Sequence, residues 1–227
     1  MAFILNIETS TTVCSVSLSK NGELISFKEI NDGFTHAENL HVFIEEVLKT
    51  ATVSIKELNA VAISKGPGSY TGLRIGVSAA KGLAFSLNIP LIALDTLQIM
   101  TNSALIKNES NAVYCPMIDA RRMEIYTAVY DKDLKQLKET EALIVDENSI
   151  QPFSEFEKIY FFGDGMQKCK EVLSTIKSAN FIDAILPSAK NMCDLSYKKY
   201  LEKQFEDVAY FEPFYLKDFL ILTKKNA

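Results

Sequence analysis

Two apolar patterns and a turn signal define the first thirty residues. Phe3–Ile7 is a continuous apolar run, and within Cys14–Ser19 apolar residues alternate with serines. This period of two is typical of a half-buried strand. Asn21-Gly22 predicts a type I′ turn, because both of its central positions need positive φ. With Leu24–Ile30 as the third strand, the pattern predicts an antiparallel meander.

The next predicted element is a helix, because apolar residues recur every three or four positions. These residues are Leu40, Ile44, Val47, Leu48 and Ala51. At its start, Thr35 and Glu38 have the spacing of a capping box, in which each side chain bonds an amide of the first turn. A buried strand, a tight loop, a helix and a short strand are then predicted at Ala60–Ser64, Gly66–Tyr70, 71–87 and Pro90–Leu94.

The second half partly repeats this order. Strands are predicted at Ala112–Ile118, Glu124–Tyr130 and Lys158–Phe162, followed by helices from Met166 and near 189–204. Strands that alternate with helices in this way indicate an α/β chain. We therefore predict two related lobes, each with a mixed sheet flanked by helices. Residues 1–104 would form the first lobe and residues 105–227 the second.

Composition limits the class of protein. The chain has 227 residues, 48% of them hydrophobic, and a formal net charge of −5. The two halves, divided at residue 100, carry net charges of −2 and −3, so neither half is predicted to be a basic nucleic-acid module. No apolar run reaches the roughly 18 residues of a membrane span. Four scattered cysteines and the absence of a basic leader indicate a cytoplasmic protein with reduced thiols and no membrane association.

The segment 65–76 joins a strand to a helix, where phosphate loops occur. It does not have a Walker A sequence, because Leu73-Arg74 follows the last glycine in place of Lys-Ser/Thr. The dinucleotide fingerprint would need glycine where Thr71 stands. Small residues recur at every fourth position of the helix, namely Gly72, Gly76, Ala80 and Ala84. This row predicts close approach of another backbone, either from the chain's own sheet or from a second subunit.

Catalytic chemistry has little support in the sequence. The only histidines, His36 and His41, would be about 140° apart on a helix and could not bind one metal ion together. Carboxylates at predicted strand ends, Glu8, Asp119 and Asp164, are the only candidates for holding magnesium. We therefore predict no catalytic residue, metal or cofactor.

Several segments in order carry a resemblance to a known family: Ile4–Ser10, His36-x-Glu38, Gly66–Gly76 and Asp119-Ala120-Arg121. The chain resembles the bacterial TsaB (YeaZ) family over its first 130 residues, and more loosely beyond them. The resemblance implies the actin/hexokinase-like (ASKHA) fold. It also implies a non-catalytic scaffold or activator subunit required for threonylcarbamoylation of adenosine 37 in tRNAs that read ANN codons.

The same resemblance implies partners and an interface. The partners would be the catalytic paralog TsaD and the ATPase subunit TsaE, with homodimers forming when the chain is alone and tRNA engaged only through the complex. The interface would lie on the two long helices of the first lobe. Its expected residues are His36, Glu38, Leu40, Ser69, Tyr70, Thr71, Gly72, Arg74, Gly76 and Ala80.

One departure from the paralog argues against transferase activity. The paralog holds its metal with a His-x-x-x-His pair, and here Leu40 stands four positions after His36. Two alternatives remain open: a small-molecule kinase or ATPase of the same fold, and a direct RNA-binding module, which the acidic balance disfavours.

Overall fold

The computed structural model describes residues 1–33, 35–105, 109 and 111–217. Its strands are β1 Phe3–Glu8, β2 Val13–Lys20, β3 Glu23–Asn31, β4 Ala60–Gly66, β5 Leu91–Asp95, β6 Val113–Asp119, β7 Glu124–Tyr130, β8 Gln136–Ile144, β9 Ile159–Phe162 and β10 Ala179–Ile182. Its α-helices are α1 His36–Ala51, α2 Tyr70–Leu87, α3 Thr96–Ala104, α4 Met166–Leu173 and α5 Cys193–Leu201. Short 3-10 turns occur at Ile55–Glu57, Gln151–Glu155 and Ala189–Met192.

The two sheets share one topology. The first has the strand order β3-β2-β1-β4-β5 and the second β10-β9-β6-β7-β8. In each, three consecutive strands form an antiparallel meander, and two later strands add in parallel beside the first strand of that meander. The predicted repetition of the first half in the second is therefore confirmed at the level of topology.

The first sheet is covered on both faces. Helices α1 and α2 pack on one face, and the 3-10 turn 189–192 with α5 packs on the other. The serines of β2, expected on the solvent side, are fully buried, so the half-buried interpretation of this strand was wrong. Two of them are hydrogen-bonded to the returning chain: Ala189 N donates to Ser15 Oγ at 2.7 Å, and Ser17 Oγ donates to Ala189 O at 2.8 Å.

The last described segment returns to the first lobe. Glu206 forms a bridge with Leu91 of β5, and Lys81 Nζ of α2 donates to Phe211 O at 2.8 Å. Phe214 N donates to Lys65 O at 2.7 Å. A boundary at residue 104 separates the strands of the two sheets. Residues 189–214 nevertheless contact elements of the first lobe, so the division into 1–104 and 105–227 stays a proposal.

Two local predictions had different outcomes. Asn21 and Gly22 adopt φ of 52° and 87°, as the predicted type I′ turn requires. Helix α1 begins after Thr35 as expected, but no side-chain capping bond forms there. Thr35 has ψ of 22°, and its carbonyl oxygen accepts from the amides of Glu38 and Asn39 instead. The predicted capping box at this helix was therefore wrong. Along the described part of the chain, none of the helices is long and apolar enough to cross a membrane.

Candidate subunit interface

The turn between β1 and β2 is the point where three sequence motifs meet. Thr9 Oγ1 donates to Gly72 O at 2.8 Å, and Ser69 N donates to Ser10 O at 2.6 Å. The His36 Nε2 atom lies 2.8 Å from Thr11 O. The β1–β2 turn, the start of α1 and the start of α2 thus form one hydrogen-bonded junction. The motif residues at this junction therefore make contacts within the chain itself.

The glycines of α2 are explained by this junction. A Cβ atom on Gly72 would lie 2.1 Å from Thr9 O, and one on Gly76 would lie 2.2 Å from Thr9 Oγ1. Contacts this short are not tolerated, so the chain's own β1–β2 turn requires glycine at both positions. Gly72 and Gly76 therefore pack internally, which is the first of the two alternatives, and a second subunit at this row stays a prediction.

The expected interface residues divide into two groups. Half of them are buried within the single chain, and their place at an interface stays a prediction. The buried residues are His36, Leu40, Gly72, Gly76 and Ala80. Glu38, Thr71 and Arg74 are exposed, and Ser69 and Tyr70 are half-buried. The exposed group remains compatible with an interface.

Beside the buried row, the outer surface of α2 forms a shallow groove with α1. The groove is lined by His41, Ile75, Ser78, Ala79, Gly82 and Leu83. It adjoins a second concavity lined by His41, Ile44, Glu45, Leu48, Lys49, Ile55 and Leu83. A Cβ atom on Gly82 would meet nothing within 4 Å, so this glycine faces open space. Most of these residues were missed by sequence reasoning, although Ile75, Ala79 and Leu83 recur at intervals of four.

The opposite flank of α2 is occupied by the returning chain. The guanidinium of Arg74 lies 4.2 Å from the centre of the Tyr70 ring, and Arg74 Nε donates to Tyr215 Oη at 3.2 Å. The rings of Tyr70 and Tyr215 are 4.9 Å apart. Helix α2 therefore has one face on the sheet, one flank under the C-terminal segment and one exposed groove. Only the groove is free of other described elements.

Glu8, at the end of β1, is an acid in the interior. Its side chain is fully buried, and its Oε1 accepts from Ser10 N at 2.5 Å. Burial raises the pKa of this carboxyl to about 7. Desolvation of the imidazole lowers the pKa of His36 in the same junction. The junction thus favours neutral groups.

The other acids considered for magnesium lie in the second lobe. Asp119 N donates to Asp164 Oδ1 at 3.0 Å, and Asp119 Oδ1 pairs with Lys168 Nζ at 2.6 Å. Within the described residues, no group of three or more His, Cys, Asp or Glu side chains could hold a metal ion. His41 is exposed in the groove, whereas His36 faces Thr11 O, so the two histidines do not converge.

The hairpin between β6 and β7 has an unusual backbone. Arg121 and Arg122 at its tip have φ of 72° and 48°. Arginine in this left-handed region costs about 1–2 kcal/mol per residue, because Cβ approaches the following carbonyl. Arg121 N donates to Asp119 Oδ1 at 2.7 Å, which helps to hold the tip.

Comparisons with known proteins identify the family. A family model described as TsaD, tRNA N6-adenosine threonylcarbamoyltransferase, matches residues 34–223. Over 226 residues the chain is 32% identical to the tRNA threonylcarbamoyladenosine biosynthesis protein TsaB of Escherichia coli, which covers 95% of this chain and 94% of that protein. The chain belongs to the TsaB (YeaZ) family.

Structural similarity agrees with membership of the TsaB family. YeaZ from Pseudomonas aeruginosa matches with a TM-score of 0.82 at 26% identity, covering 95% of this chain and 100% of that one. A tRNA N6-adenosine threonylcarbamoyltransferase of Phocaeicola vulgatus is 36% identical over 118 residues, 46% of this chain and 35% of that protein. The two lobes, each with a mixed sheet flanked by helices, form the actin/hexokinase-like fold that the resemblance implied.

Proposed function

We propose that this TsaB-family chain is a non-catalytic scaffold and activator subunit for threonylcarbamoylation of adenosine 37 in tRNAs that read ANN codons. It acts in the cytoplasm by pairing with the catalytic paralog TsaD, and the ATPase subunit TsaE joins the pair. The observation that carries the proposal is the exposed groove between α1 and α2, on a chain whose relatives are named for this modification.

The groove has the composition of a helix-packing surface. Ser78, Ala79 and Gly82 are small, so a partner helix could approach α2 to the 8–10 Å typical of packed helices. Ile75 and Leu83 supply apolar area on either side of these small residues. Burying such area is the main favourable term in association. In the absence of TsaD, the same groove on a second copy would form a homodimer about a two-fold axis.

Scaffold function is tested by reconstitution. Unmodified tRNA, ATP and threonylcarbamoyl-adenylate are incubated with TsaD and TsaE, with and without this chain, and nucleoside mass spectrometry follows the product. We expect product formation to depend on the chain. Equal product without it, with the other components shown to be competent, would contradict the proposal.

The groove itself is tested by a matched pair of variants. Leu83→Glu places a charge in the groove, whereas Ile144→Glu places one at an exposed position of β8 in the second lobe. We expect Leu83→Glu to abolish co-elution with TsaD and product formation, and Ile144→Glu to retain both. Full activity of Leu83→Glu would remove the groove from the mechanism.

Calorimetry separates the scaffold from the alternative enzyme. The isolated chain is titrated with ATP and magnesium, and we expect no heat of binding and no hydrolysis. Tight binding with magnesium-dependent hydrolysis would favour a kinase or ATPase of the same fold.

A further inference from the structure

Arginine is scarce in this chain. The sequence contains 21 lysines and only three arginines. Arg74 donates to Tyr215 of the C-terminal segment. Two residues farther on, Lys217 forms an ion pair with Glu124, which follows Arg121 and Arg122 in the β6–β7 hairpin. The stretch from Tyr215 to Lys217 therefore contacts both Arg74 and the hairpin that carries Arg121 and Arg122.

The guanidinium groups of Arg121 and Arg122 have no ion-pair partner among the described residues, and both side chains are exposed. The acids of the hairpin are already paired, Asp119 with Lys168 and Glu124 with Lys217. Each ion pair is neutral as a unit, so neither carboxylate offsets the charge of the arginines. The tip of the hairpin thus presents two uncompensated positive charges on a protein of net charge −5.

The turn gives no reason for arginine at these positions. Both have positive φ, as do Asn21 and Gly22 in the first lobe. At that other hairpin the chain uses the two residues that suit such a backbone best. At residues 121 and 122 it uses two long cationic side chains that suit it poorly. Single non-glycine residues such as Leu134 and Lys203 also have positive φ, but two in succession occur among the described residues only at these two hairpins. The backbone therefore does not favour the arginine pair, and both side chains are exposed to contact another molecule.

We propose that Arg121 and Arg122 form a phosphate-binding tip that contacts the sugar–phosphate backbone of the RNA modified by the complex. This inference rests on the proposed function. A guanidinium pairs with phosphate through two parallel hydrogen bonds, a geometry that lysine cannot provide. Contacts of this kind position an RNA without reading its sequence. Because the rest of the chain is acidic, the tip acts on RNA that the partner subunit also holds.

The test measures RNA binding by the complex of this chain with TsaD. Fluorescence anisotropy of labelled unmodified tRNA is recorded across a salt series for the wild type and for Arg121→Gln/Arg122→Gln. We expect the double variant to bind about tenfold more weakly at low salt. The slope of log affinity against log salt should fall by about 2, one for each lost phosphate contact.

The matched control removes the same charge elsewhere in the lobe. Lys132→Gln/Lys135→Gln lies at the far end of β7, in the turn that precedes β8. We expect it to change tRNA affinity less than twofold. If both double variants weaken binding equally, the effect is one of net charge and the proposed tip is overturned.

A second variant excludes a folding artefact. Arg121→Asn/Arg122→Gly suits the positive φ values, so we expect an unchanged or higher melting temperature with the same loss of tRNA affinity. Wild-type affinity in this variant would overturn the proposal. So would loss of co-elution with TsaD by the arginine variants, because the tip would then contact protein. Failure of the proposed function would be seen in a different experiment: Leu83→Glu would then still co-elute with TsaD, whatever the arginine variants do to tRNA affinity.

Discussion

Helix α2 carries two rows of small residues that occupy opposite environments. In one row, Gly72 and Gly76 are buried against the β1–β2 turn, and Ala80 and Ala84 are also buried. Ser78 and Gly82, also four apart, face open space in the groove. Helical spacing shows which residues share a face, but it does not show what covers that face. The covering element is the Thr9 turn, some 60 residues earlier in the chain.

The comparison is tested most strongly at Gly76. We expect Gly76→Leu to destabilise the fold by at least about 3 kcal/mol, because a Cβ alone would lie 2.2 Å from Thr9 Oγ1 and 3.0 Å from Ile63 Cδ1. Urea denaturation followed by circular dichroism measures the free energy of unfolding. A stable monomer that has lost only its association would support the subunit-interface interpretation of the buried row.

The same substitution at Gly82 should have the opposite result. We expect Gly82→Leu to fold and to be about 1 kcal/mol more stable, because an exposed helical glycine is replaced by a good helix former. Its side chain would fill the groove, and we expect the dissociation constant with TsaD to rise about 100-fold. Calorimetric titration measures this constant. Unchanged affinity with a higher melting temperature would show that no partner helix occupies the groove.

The junction that covers the buried row should make stability depend on pH. The folded-state pKa of Glu8 is raised to about 7 from 4.5, so the folded protein holds a proton that the unfolded chain releases between these values. Stability is therefore greatest below the unfolded pKa and falls as pH rises towards 7, by roughly 2 kcal/mol between pH 5 and 8. Urea unfolding of the wild type and Glu8→Gln at both pH values checks this. An equal change in both proteins would assign the pH dependence to other groups.

The smallest expected effect concerns the hydrogen bond from Thr9. We expect Thr9→Val to lose about 1 kcal/mol or slightly more, because Gly72 O loses a buried donor at 2.8 Å while the shape of the side chain is kept. Thermal unfolding measures this loss. As a control, Thr12→Val alters a half-buried threonine of the same turn, whose hydroxyl donates to Asn31 Oδ1 at an exposed position. We expect little change, because solvent can replace that bond. Equal losses would show that the junction contributes nothing specific.

Elements specified by local sequence could be predicted. The meander was predicted because alternation and the Asn-Gly turn act between neighbouring residues. Helix α3 was missed because Thr96 follows β5 directly, without a separating loop. Strand β8 was missed because its residues are largely polar and partly exposed.

Contacts between distant segments could not be predicted. The burial of Ser15 and Ser17 depends on Ala189, which bonds both serines. Ala189 follows all the strands of the second sheet in the sequence, so no local pattern indicates this contact. The exposed groove likewise depends on how α1 and α2 sit on the sheet. The resemblance pointed to α1 and α2, which also line the exposed groove. Which face of α2 is exposed could be learned only from the structure, because the sequence does not distinguish the environments of Gly76 and Gly82.

The return of residues 189–201 to the first sheet has a consequence for synthesis of the chain. On a ribosome the N-terminal lobe emerges first, yet one face of its sheet is covered only by α3 until α5 has also left the exit tunnel. Buried residues such as Ile4, Ala62 and Ile92 are partly exposed to solvent throughout that interval. The nascent chain therefore offers chaperones an apolar surface for most of its translation, and a stall before residue 189 leaves an aggregation-prone product.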